Sequence, residues 1–417
     1  MTSPVLLLVE SNTTGTGRQF ARRAADLGAE PVLLTADASR YPYAAEDRLR
    51  VVTTDTSDED AVLAAARSVG ERSRIAGVTS SSEYYAATAA ATAHRLGLPG
   101  PDADAVRTCR DKSEQRRMLA EAGVPVPEFT RVRDAREAVG AAERIGYPVV
   151  LKPVLGSGSL GVRLCTDPAT TKAHATELTA ASVNERGLPV SRGVLVERYL
   201  PGAEYSVEVF GNTVVVVVAK HLGPLPDFVE HGHDLPAEPT SDARAQLEDV
   251  AVRAVKALGL GWGAAHVELR RHGDDTRVIE VNPRLAGGMI PDLVSRALGV
   301  DLVRAQVSAA MGLGHDGEQR GPARAAAIRF LTAERPGVLA GPDTWAAALA
   351  AARSTARVEA AELYRAAGEQ VAPAHDFRGR LGHVIAVADT VPDAAEAASA
   401  GLVELGAALR GTDKGTE

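Results

Sequence analysis

The sequence predicts an α/β protein of several domains, and three observations support this. Short apolar segments alternate with helical ones over about the first 100 residues, a pattern typical of a parallel sheet covered on both faces. The length of 417 residues allows about two to four domains with a sizeable core. Hydrophobic residues at 45% and charged residues at 24% are ordinary for a globular protein.

The first elements of the chain read as a strand followed by a helix. Val5–Val9 is a short apolar strand, and a polar, glycine-bearing turn over 11–17 leads into a helix over Arg18–Leu27. The alternation continues with the predicted elements Val32–Thr35, Ala61–Val69, Ile75–Thr79 and Glu83–Leu96. A Pro/Gly boundary follows at 98–101, so we expect an α/β domain over 1–101.

A central domain is expected over 102–320, with a small subdomain over about 125–200, and a C-terminal domain over 321–417. Residues 102–147 are predicted to be mostly helical, and the stretch from His221 to Thr240, rich in Pro, Gly and His, is predicted to be a loop. The other predicted strands are Val149–Lys152, Val162–Cys165, Val194–Tyr199, Tyr205–Phe210, Thr213–Ala219, Ala264–Arg270 and Thr276–Val281. The other predicted helices are Lys172–Arg186, Asp242–Leu258 and Ile290–Leu298.

The composition argues against several classes of protein. The chain has 54 acidic and 46 Lys and Arg residues, a net charge of -8, which argues against nucleic-acid binding. Its two cysteines cannot form a disulfide framework and favour a reducing compartment. The longest wholly apolar run, Val214–Ala219, is far shorter than the ~20 residues of a membrane span, and no secretory leader is recognised. We therefore expect a cytoplasmic protein without membrane or nucleic-acid partners.

Lysine is rare in this chain and therefore informative. Of the 46 basic residues, six are lysines, namely Lys112, Lys152, Lys172, Lys220, Lys256 and Lys414. Because arginine is used almost everywhere else, a lysine indicates a position that needs a compact point charge. Lys112 opens a predicted helix, where it is placed to reach a phosphate group, although a solvated helix start is the alternative.

The clearest functional pattern is a pair of acids on a predicted hairpin. Alternate residues of a strand face the same way, so Glu280 and Asn282 project together. If the turn centres on Gly273, Glu268 lies diagonal to Glu280 on that face, with Cβ atoms about 7–8 Å apart. Two carboxylates and an amide oxygen suit Mg²⁺, and Arg284 directly behind them suits a phosphate or an oxyanion. A solvated polar hairpin is the alternative.

The second pattern is a lysine at the end of a strand, followed by a glycine- and serine-rich turn. Lys152 precedes a segment that contains Ser157, Gly158 and Ser159. Glycines let backbone N–H groups approach phosphates closely, and the lysine adds a point charge. The segment matches neither a Walker A loop nor a dinucleotide fingerprint. It is therefore a candidate phosphate cradle, with an ordinary glycine hairpin as the alternative.

A third segment begins at Glu197 and passes from one predicted strand through a linker into the next. Backbone groups at Arg198, Tyr199 and Leu200 are candidates to bind the edge of an adenine base, and Glu204 is a candidate to accept hydrogen bonds from ribose hydroxyls. The alternative is an ordinary turn with exposed acids.

A fourth segment, Phe228–Pro236, concentrates two histidines and two acids. The spacing of these side chains matches no zinc pattern. Glu230 and His233 are therefore candidate contacts to a substrate carboxylate or amine, and a plain structural loop is the alternative.

In this order, the patterns resemble the ATP-grasp superfamily over about residues 1–310. The resemblance implies an ATP-grasp fold with an N-terminal Rossmann-like domain and a C-terminal α/β domain. Within the superfamily, the segments Phe228–Pro236 and Asn282–Pro291 are most similar to those of carboxylate–amine ligases, specifically the L-amino-acid (dipeptide) ligases.

The resemblance also implies a role for each candidate residue. Residues at ATP would be Lys112, Lys152, Ser157, Gly158, Ser159, Glu197, Arg198, Tyr199, Leu200 and Glu204. Residues at Mg²⁺, or Mn²⁺ in its place, would be Glu268, Glu280 and Asn282. Residues at the amino-acid substrates would be Glu230, His233, Arg284, Gly287 and Gly288, with the first three of these also catalytic. A homodimer is a family-level expectation.

The implied activity is ATP-dependent formation of an amide bond between an amino-acid carboxylate and an amine, usually that of a second amino acid. The carboxylate would be activated as an acyl phosphate, with release of ADP and phosphate. Three alternatives stay open: a γ-glutamyl-type ligase, a biotin-carboxylase-like carboxylase and a nucleotide-binding module without turnover. Because small residues would border the reacting centre, Gly288→Trp is predicted to narrow the range of accepted substrates.

Overall fold

The N-terminal part of the chain forms a four-stranded parallel sheet of order β3-β2-β1-β4, covered on both faces. A computed structural model describes residues 3–13, 16–180, 183, 193–314 and 323–413. The elements of this part are β1 (Val5–Val9), α1 (Thr16–Asp26), β2 (Glu30–Thr35), α2 (Pro42–Glu46), β3 (Arg50–Thr53), α3 (Glu59–Gly70), β4 (Ile75–Thr79) and α4 (Ala86–Arg95). Leu6 and Leu8 of β1 pack into one core, and Val5, Leu7 and Val9 pack into another on the opposite face. Burial on both faces explains why β1 is apolar throughout.

A second, antiparallel sheet of order β5-β8-β6-β7 carries the glycine- and serine-rich turn between β6 and β7. Its elements, with the two helices that precede it, are α5 (Ala103–Arg110), α6 (Lys112–Glu121), β5 (Phe129–Val132), α7 (Ala135–Ile145), β6 (Val149–Pro153), β7 (Arg163–Cys165), α8 (Pro168–Ala180) and β8 (Val194–Arg198). Apolar residues of α7 and β6, with Cys165, form its core.

The third sheet has eight strands in the order β13-β12-β9-β10-β11-β14-β18-β16, and each neighbouring pair is antiparallel. Its first part contains β9 (Ala203–Phe210), β10 (Thr213–Leu222), β11 (Glu230–Leu235), α9 (Ser241–Ala257), β12 (Ala264–His272), β13 (Asp275–Asn282), α10 (Ile290–Leu298) and α11 (Leu302–Ala310). The C-terminal part contains β14 (Ala325–Thr332), β15 (Gly337–Val338), α12 (Pro342–Ser354), β16 (Val358–Leu363), β17 (Gln370–Val371), β18 (Arg380–Ala388) and α13 (Val391–Leu405).

The C-terminal segment shares this sheet with the central segment, because β14 pairs with β11 and not with a separate sheet of its own. The domain limits expected from the sequence remain predictions, and the limit at 320/321 lies outside the described residues. Among the described helices, none has both the length and the apolarity to cross a membrane.

The loop predicted from His221 to Thr240 is wrong over part of its length. β10 continues to Leu222, and β11 occupies Glu230–Leu235 in the middle of the large sheet. The segment reads as polar, but its charges are paired inside the protein, since Asp234 forms ion pairs with His221 and Arg329 at 2.7 and 2.6 Å. A strand of polar residues is therefore stable at this position, because each buried charge has a partner.

Other predicted boundaries shift by a few residues. A strand, β5, interrupts the region 102–147 that was expected to be mostly helical, and α4 begins at Ala86 instead of Glu83. The helix predicted over Lys172–Arg186 is α8, whose described part ends at Ala180, and its predicted end lies outside the described residues. The later start of α4 leaves Glu83 in a turn, from which its side chain reaches Arg284.

Candidate active site

A cleft lies where the second sheet faces the hairpin of β12 and β13, and about 890 Å³ of space, open solvent included, falls within it. Residues of the β6–β7 turn, the end of β8, β10 and the hairpin line it together. All the site residues proposed from the sequence line this cleft, with the exceptions of His233, Gly287 and Gly288. The fold therefore brings together segments that are far apart in the sequence.

The three buried lysines all line the cleft. Lys112, Lys152 and Lys220 are 4%, 3% and 7% exposed. Lys172 and Lys256 are exposed and do not line it, and Lys414 lies outside the described residues. Burial of a charged ammonium group is costly unless it is paired, so these three positions are built to hold positive charge. The scarcity of lysine was therefore a useful signal.

The first lysine begins helix α6. Asp111 caps this helix by accepting a hydrogen bond from the Ser113 backbone at 2.9 Å. The cap fixes the direction of the first turn, so that the Lys112 ammonium group donates to the Gly156 carbonyl at 2.6 Å and forms an ion pair with Glu280 at 2.9 Å. Lys112 thus joins the turn after β6 to the hairpin acids.

The second lysine is paired with Glu197. The Lys152 ammonium group lies 2.5 Å from the Glu197 carboxylate, which also accepts from Arg116 at 2.6 Å. Burial lowers the pKa of Lys152, with Glu197 opposing the shift. Burial alone would raise the pKa of Glu197, but Arg116 and Lys152 hold it below its ordinary value. Because both partners already occupy this carboxylate, we expect Glu197 to orient Lys152 and not to contact the nucleotide itself. The backbone that follows Glu197, from Arg198 to Leu200, is then expected to contact the nucleotide.

The register of the hairpin differs from the expected one. Glu268 lies directly opposite Glu280, and not diagonal to it, because a β-bulge between Glu268 and Leu269 leaves Ile279 as an extra residue. Directly opposed side chains have Cβ atoms about 4.5–5.5 Å apart, so the two acids are closer than the diagonal pairing allowed. The Ile279 carbonyl accepts hydrogen bonds from Arg116 and Lys152, which gives the bulge polar partners.

The third buried lysine was not singled out as a site residue from the sequence. The Lys220 ammonium group lies 2.7 Å from Glu230, 2.8 Å from Glu268 and 3.0 Å from Glu204. Burial alone would lower the pKa of Lys220, but the three carboxylates raise it well above its ordinary value. One cation therefore holds the candidate ribose acid, metal acid and substrate acid in fixed relative positions.

Two further residues that the sequence reasoning missed, His266 and Arg270, fix the same acids. His266 contacts Glu208 at 2.8 Å and Glu268 at 3.0 Å, and Arg270 donates to Glu204 at 3.0 Å. Although burial would lower the pKa of His266, the two acids raise it to about 9. Both residues lie on β12 two positions either side of Glu268, so the period of a strand was the signal that could have found them.

Two of the residues expected to meet the substrates, Arg284 and Glu230, form further ion pairs. Arg284 donates to Glu83 at 2.6 Å, and Glu230 pairs with Arg380 as well as with Lys220. Burial alone would raise the pKa of Glu230, but Lys220 and Arg380 hold it well below its ordinary value. Arg380 lies on β18, so the C-terminal segment contributes directly to these ion pairs.

His233 lies behind Glu230 and not on the cleft wall. Its side chain is 1% exposed, its ring packs edge-on against Phe330, and Glu230 lies 3.8 Å from Nε2. Neither ring nitrogen has a hydrogen-bond partner among the described residues. Burial lowers the pKa of His233 to about 3, so the imidazole is neutral at pH 7.

The low pKa of His233 predicts a loss of stability in mild acid. Unfolding restores the ordinary value of 6.5, so between pH 6.5 and about 3 the unfolded chain binds a proton that the folded chain does not. Stability therefore falls as the pH falls through this window. We expect His233→Asn to remove about 1.4 kcal/mol of the loss between pH 7.5 and 5.5 in urea unfolding. His272→Asn, at an exposed position, is the control, and an equal pH dependence in the His233 variant and the native chain would contradict the prediction.

The donor set of the hairpin fits a hard divalent cation. Glu268, Glu280 and Asn282 offer two carboxylates and an amide oxygen to one cleft, and Mg²⁺ is commonly held by one or two carboxylates and by substrate phosphates. Among the described residues there is no group of three or more His, Cys, Asp and Glu side chains arranged to hold a metal by themselves.

Comparison with known protein families supports the same assignment over three successive segments of the chain. Residues 21–100 match the ATP-grasp N-terminal domain, residues 145–292 match the ATP-grasp domain, and residues 329–405 match the L-amino acid ligase C-terminal domain 2. The matches follow the order expected from the sequence.

Individual relatives agree with these matches. An uncharacterized protein of Sinorhizobium fredii is 37% identical over 383 residues, which cover 92% of this chain and 78% of that protein. Carnosine synthase 1 of Gallus gallus is 31% identical over 235 residues, which cover 52% of this chain but 25% of that longer protein.

A solved structure shows the shared fold. The crystal structure of an L-amino acid ligase from Bacillus licheniformis matches 98% of this chain and 98% of its own with a TM-score of 0.79, at 22% sequence identity. Together with the family matches over three successive segments, this likeness confirms the fold class that the sequence predicted. The chain belongs to the ATP-grasp superfamily and is one of its ATP-dependent carboxylate–amine ligases, similar to the L-amino acid ligases.

Proposed function

We propose that the chain joins the carboxylate of one amino acid to the amine of a second, with ATP as the phosphoryl donor. The observation that carries this proposal is the continuity of the cleft. Lys112 and Lys152, the hairpin acids Glu268 and Glu280, and Arg284 and Glu230 all line this one cleft. A phosphate group held by the lysines therefore shares the cleft with a small polar substrate held by Arg284 and Glu230.

The nucleotide end suits ATP. Glycine and serine backbone groups of the turn after β6, with Lys112 and Lys152, are proposed to bind the phosphates. The backbone from Arg198 to Leu200 also lines the cleft and is proposed to meet the adenine base. Glu204 is proposed to accept hydrogen bonds from the ribose while Lys220 and Arg270 hold its carboxylate in place.

The chemistry follows from the leaving group. An oxygen of the substrate carboxylate attacks the γ-phosphorus of ATP and ADP leaves, which gives an acyl phosphate. The amine nitrogen of the second substrate then attacks the carbonyl carbon, inorganic phosphate leaves and the nitrogen loses a proton. Lys112, Lys152 and Arg284 reduce the repulsion between the two anions and stabilise the charge on the transferring oxygens. A divalent cation held by Glu268, Glu280 and Asn282 would supply further charge neutralisation at the phosphates.

The substrate end suits amino acids. Arg284 is proposed to hold the carboxylate that is phosphorylated, because a guanidinium group binds carboxylate and phosphate oxygens equally well. Glu230, ionised and facing the cleft, is proposed to bind a substrate ammonium group. His233 is neutral and lies 3.8 Å from Glu230. Once the nucleotide is bound, His233 is proposed to form a hydrogen bond either with Glu230 or with the amine of the substrate.

A panel of amino acids tests this function. The purified chain is incubated with MgATP and each amino acid, alone and in pairs, while ADP release and product mass are measured. ADP release together with an amide product of two amino acids is expected, and mass fragmentation tells an α-linked product from a γ-glutamyl one. Turnover that requires bicarbonate and no amino acid, or no consumption of ATP with any pair, would contradict the proposal.

The cytoplasmic location and the homodimer remain predictions, the second of which light scattering can check.

The structure selects the better of the two glycines for a test of substrate range. A Cβ atom at Gly288 would lie 2.5 Å from His233 Nε2, and the backbone φ of +59° at this position disfavours any side chain. Gly288→Trp would therefore displace His233, and a change in substrate range could then come from His233 and not from the size of the new side chain. A Cβ atom at Gly287 has nothing within 4 Å.

Gly287 lies outside the cleft lining but three residues after Arg284. We propose that the large side chain of Gly287→Trp reaches a substrate bound at Arg284, and we expect it to narrow the accepted amino acids to those with small side chains, with kcat for the best pair reduced by less than about tenfold. Gly287→Ala is the matched control and should keep the native profile. The product profile over the same panel is the measurement, and an unchanged range for the Trp variant would contradict the prediction.

A further inference from the structure

The C-terminal segment contacts the phosphate loop, defined here as residues 156–161. Phe377, on a short 3-10 turn over Phe377–Gly379, lies against Gly158 so closely that a Cβ atom there would be 2.5 Å from Cδ1 of the ring. Phe377 is 41% exposed and does not line the cleft. An aromatic ring of the C-terminal segment therefore covers the outer side of a loop whose inner side faces the nucleotide cleft.

The phosphate loop is poorly suited to hold its own shape. Gly156, Gly158 and Gly161 have φ values of +143°, +64° and +70°, and Ser159 has a φ of +62°, which L side chains rarely adopt. Glycines lose the most conformational entropy when they become ordered, and the strained serine adds a further cost. Contacts from outside the loop must therefore stabilise the conformation of these residues.

Three further contacts join the phosphate loop, the strand after it and the C-terminal segment through residues 225–228. The Ser159 hydroxyl donates to the Phe228 carbonyl at 2.9 Å, and the Leu164 backbone N–H donates to the Pro226 carbonyl at 2.9 Å. His375 lies 2.6 Å from Asp227. The segment 225–228 is thus bound to the phosphate loop and its following strand on one side and to the C-terminal segment on the other.

We propose that Phe377 is a positioning residue that holds the phosphate loop closed over the nucleotide, so that the C-terminal segment controls how well the site excludes water. The proposal rests on the proposed function for its consequence, since an acyl phosphate exposed to water hydrolyses before the amine attacks. The first test of the proposal needs only nucleotide binding and does not depend on amide formation.

The first test measures the affinity for Mg·AMP-PNP by calorimetry and the hydrogen exchange of residues 156–161. Phe377→Ala is expected to weaken binding about tenfold, because the closed loop is less populated when the apolar contact is lost. The same variant should exchange faster over 156–161. Phe377→Leu should restore most of the affinity, and Val403→Ala, at an exposed apolar position on α13, should match the native chain.

The second test measures phosphate released per amide formed, with the amino-acid pair found in the panel. Phe377→Ala is expected to release at least about twice as much phosphate per product as the native chain, while Val403→Ala keeps the native ratio. Unchanged AMP-PNP affinity and unchanged exchange in Phe377→Ala would overturn the proposal. A native chain that binds AMP-PNP but forms no amide with any pair would overturn the proposed function and leave the role of Phe377 to the first test.

Discussion

Lys220→Met is expected to abolish amide formation and to lower the free energy of unfolding by about 3–5 kcal/mol. Lys220 is the shared partner of Glu204, Glu230 and Glu268, each within 3.0 Å. Without the ammonium group, these acids face one another in a buried site with fewer cations among them. Removing one partner of a buried ion pair is costly for that reason, whereas a solvated pair contributes little.

The pH dependence of the same variant gives a further check. In the native chain Lys220 lowers the pKa of Glu230 and of Glu268. Without it, both acids take up protons at a higher pH and so lose their repulsion as the pH falls. We therefore expect the destabilisation of Lys220→Met, measured by urea unfolding, to be smaller at pH 4.5 than at pH 7.

Lys256→Met is the matched control, because Lys256 is exposed on α9 and does not line the cleft. This variant should keep both the native activity and the native stability. A Lys220→Met chain with native turnover would show that the three acids need no common cation, and our account of the site would then be wrong.

Glu280→Gln is expected to reduce kcat/KM at least about 100-fold and to raise the Mg²⁺ concentration needed for half-maximal turnover. The amide keeps the shape of the side chain but lacks the charge that the cation and Lys112 both require. Lys112 keeps its hydrogen bond to the Gly156 carbonyl, so we expect the fold to survive and the loss to be chemical.

The measurement is initial velocity against Mg²⁺ at saturating ATP. Asp274→Asn is the control on the same hairpin, since this acid is fully exposed at the turn between β12 and β13. Native Mg²⁺ dependence in Glu280→Gln would exclude this carboxylate as a metal ligand. Equal losses in both variants would show that the effect comes from the charge of the hairpin and not from its position in the cleft.

Many of the residues that line the cleft could be predicted because local patterns report local geometry. A lysine at a strand end, a glycine-rich turn and acids at alternate positions are each readable from neighbouring residues. The order of these patterns along the chain added the fold, since together they resemble the superfamily that the family matches confirm.

The rest could not be predicted, because it depends on which distant segments become neighbours. The segment Glu230–Leu235 was expected to be part of a loop because its surroundings are rich in Pro, Gly and His, but Lys220, Arg329 and Arg380 pair with its charges inside the sheet. The bulge at Ile279 changes the hairpin register by one residue, which no alternation of side chains reveals.

The amino-acid sequence by itself determined the superfamily, the class of enzyme and a set of candidate site residues that includes two of the three buried lysines, because these follow from residue type and short spacing. The tertiary structure alone decided that Lys220 joins three acids, that His233 is buried and neutral behind Glu230, and that Phe377 covers the phosphate loop. The physical reason is that charge pairing and burial act through space. Their energies depend on strand order and register, which are properties of the whole folded chain.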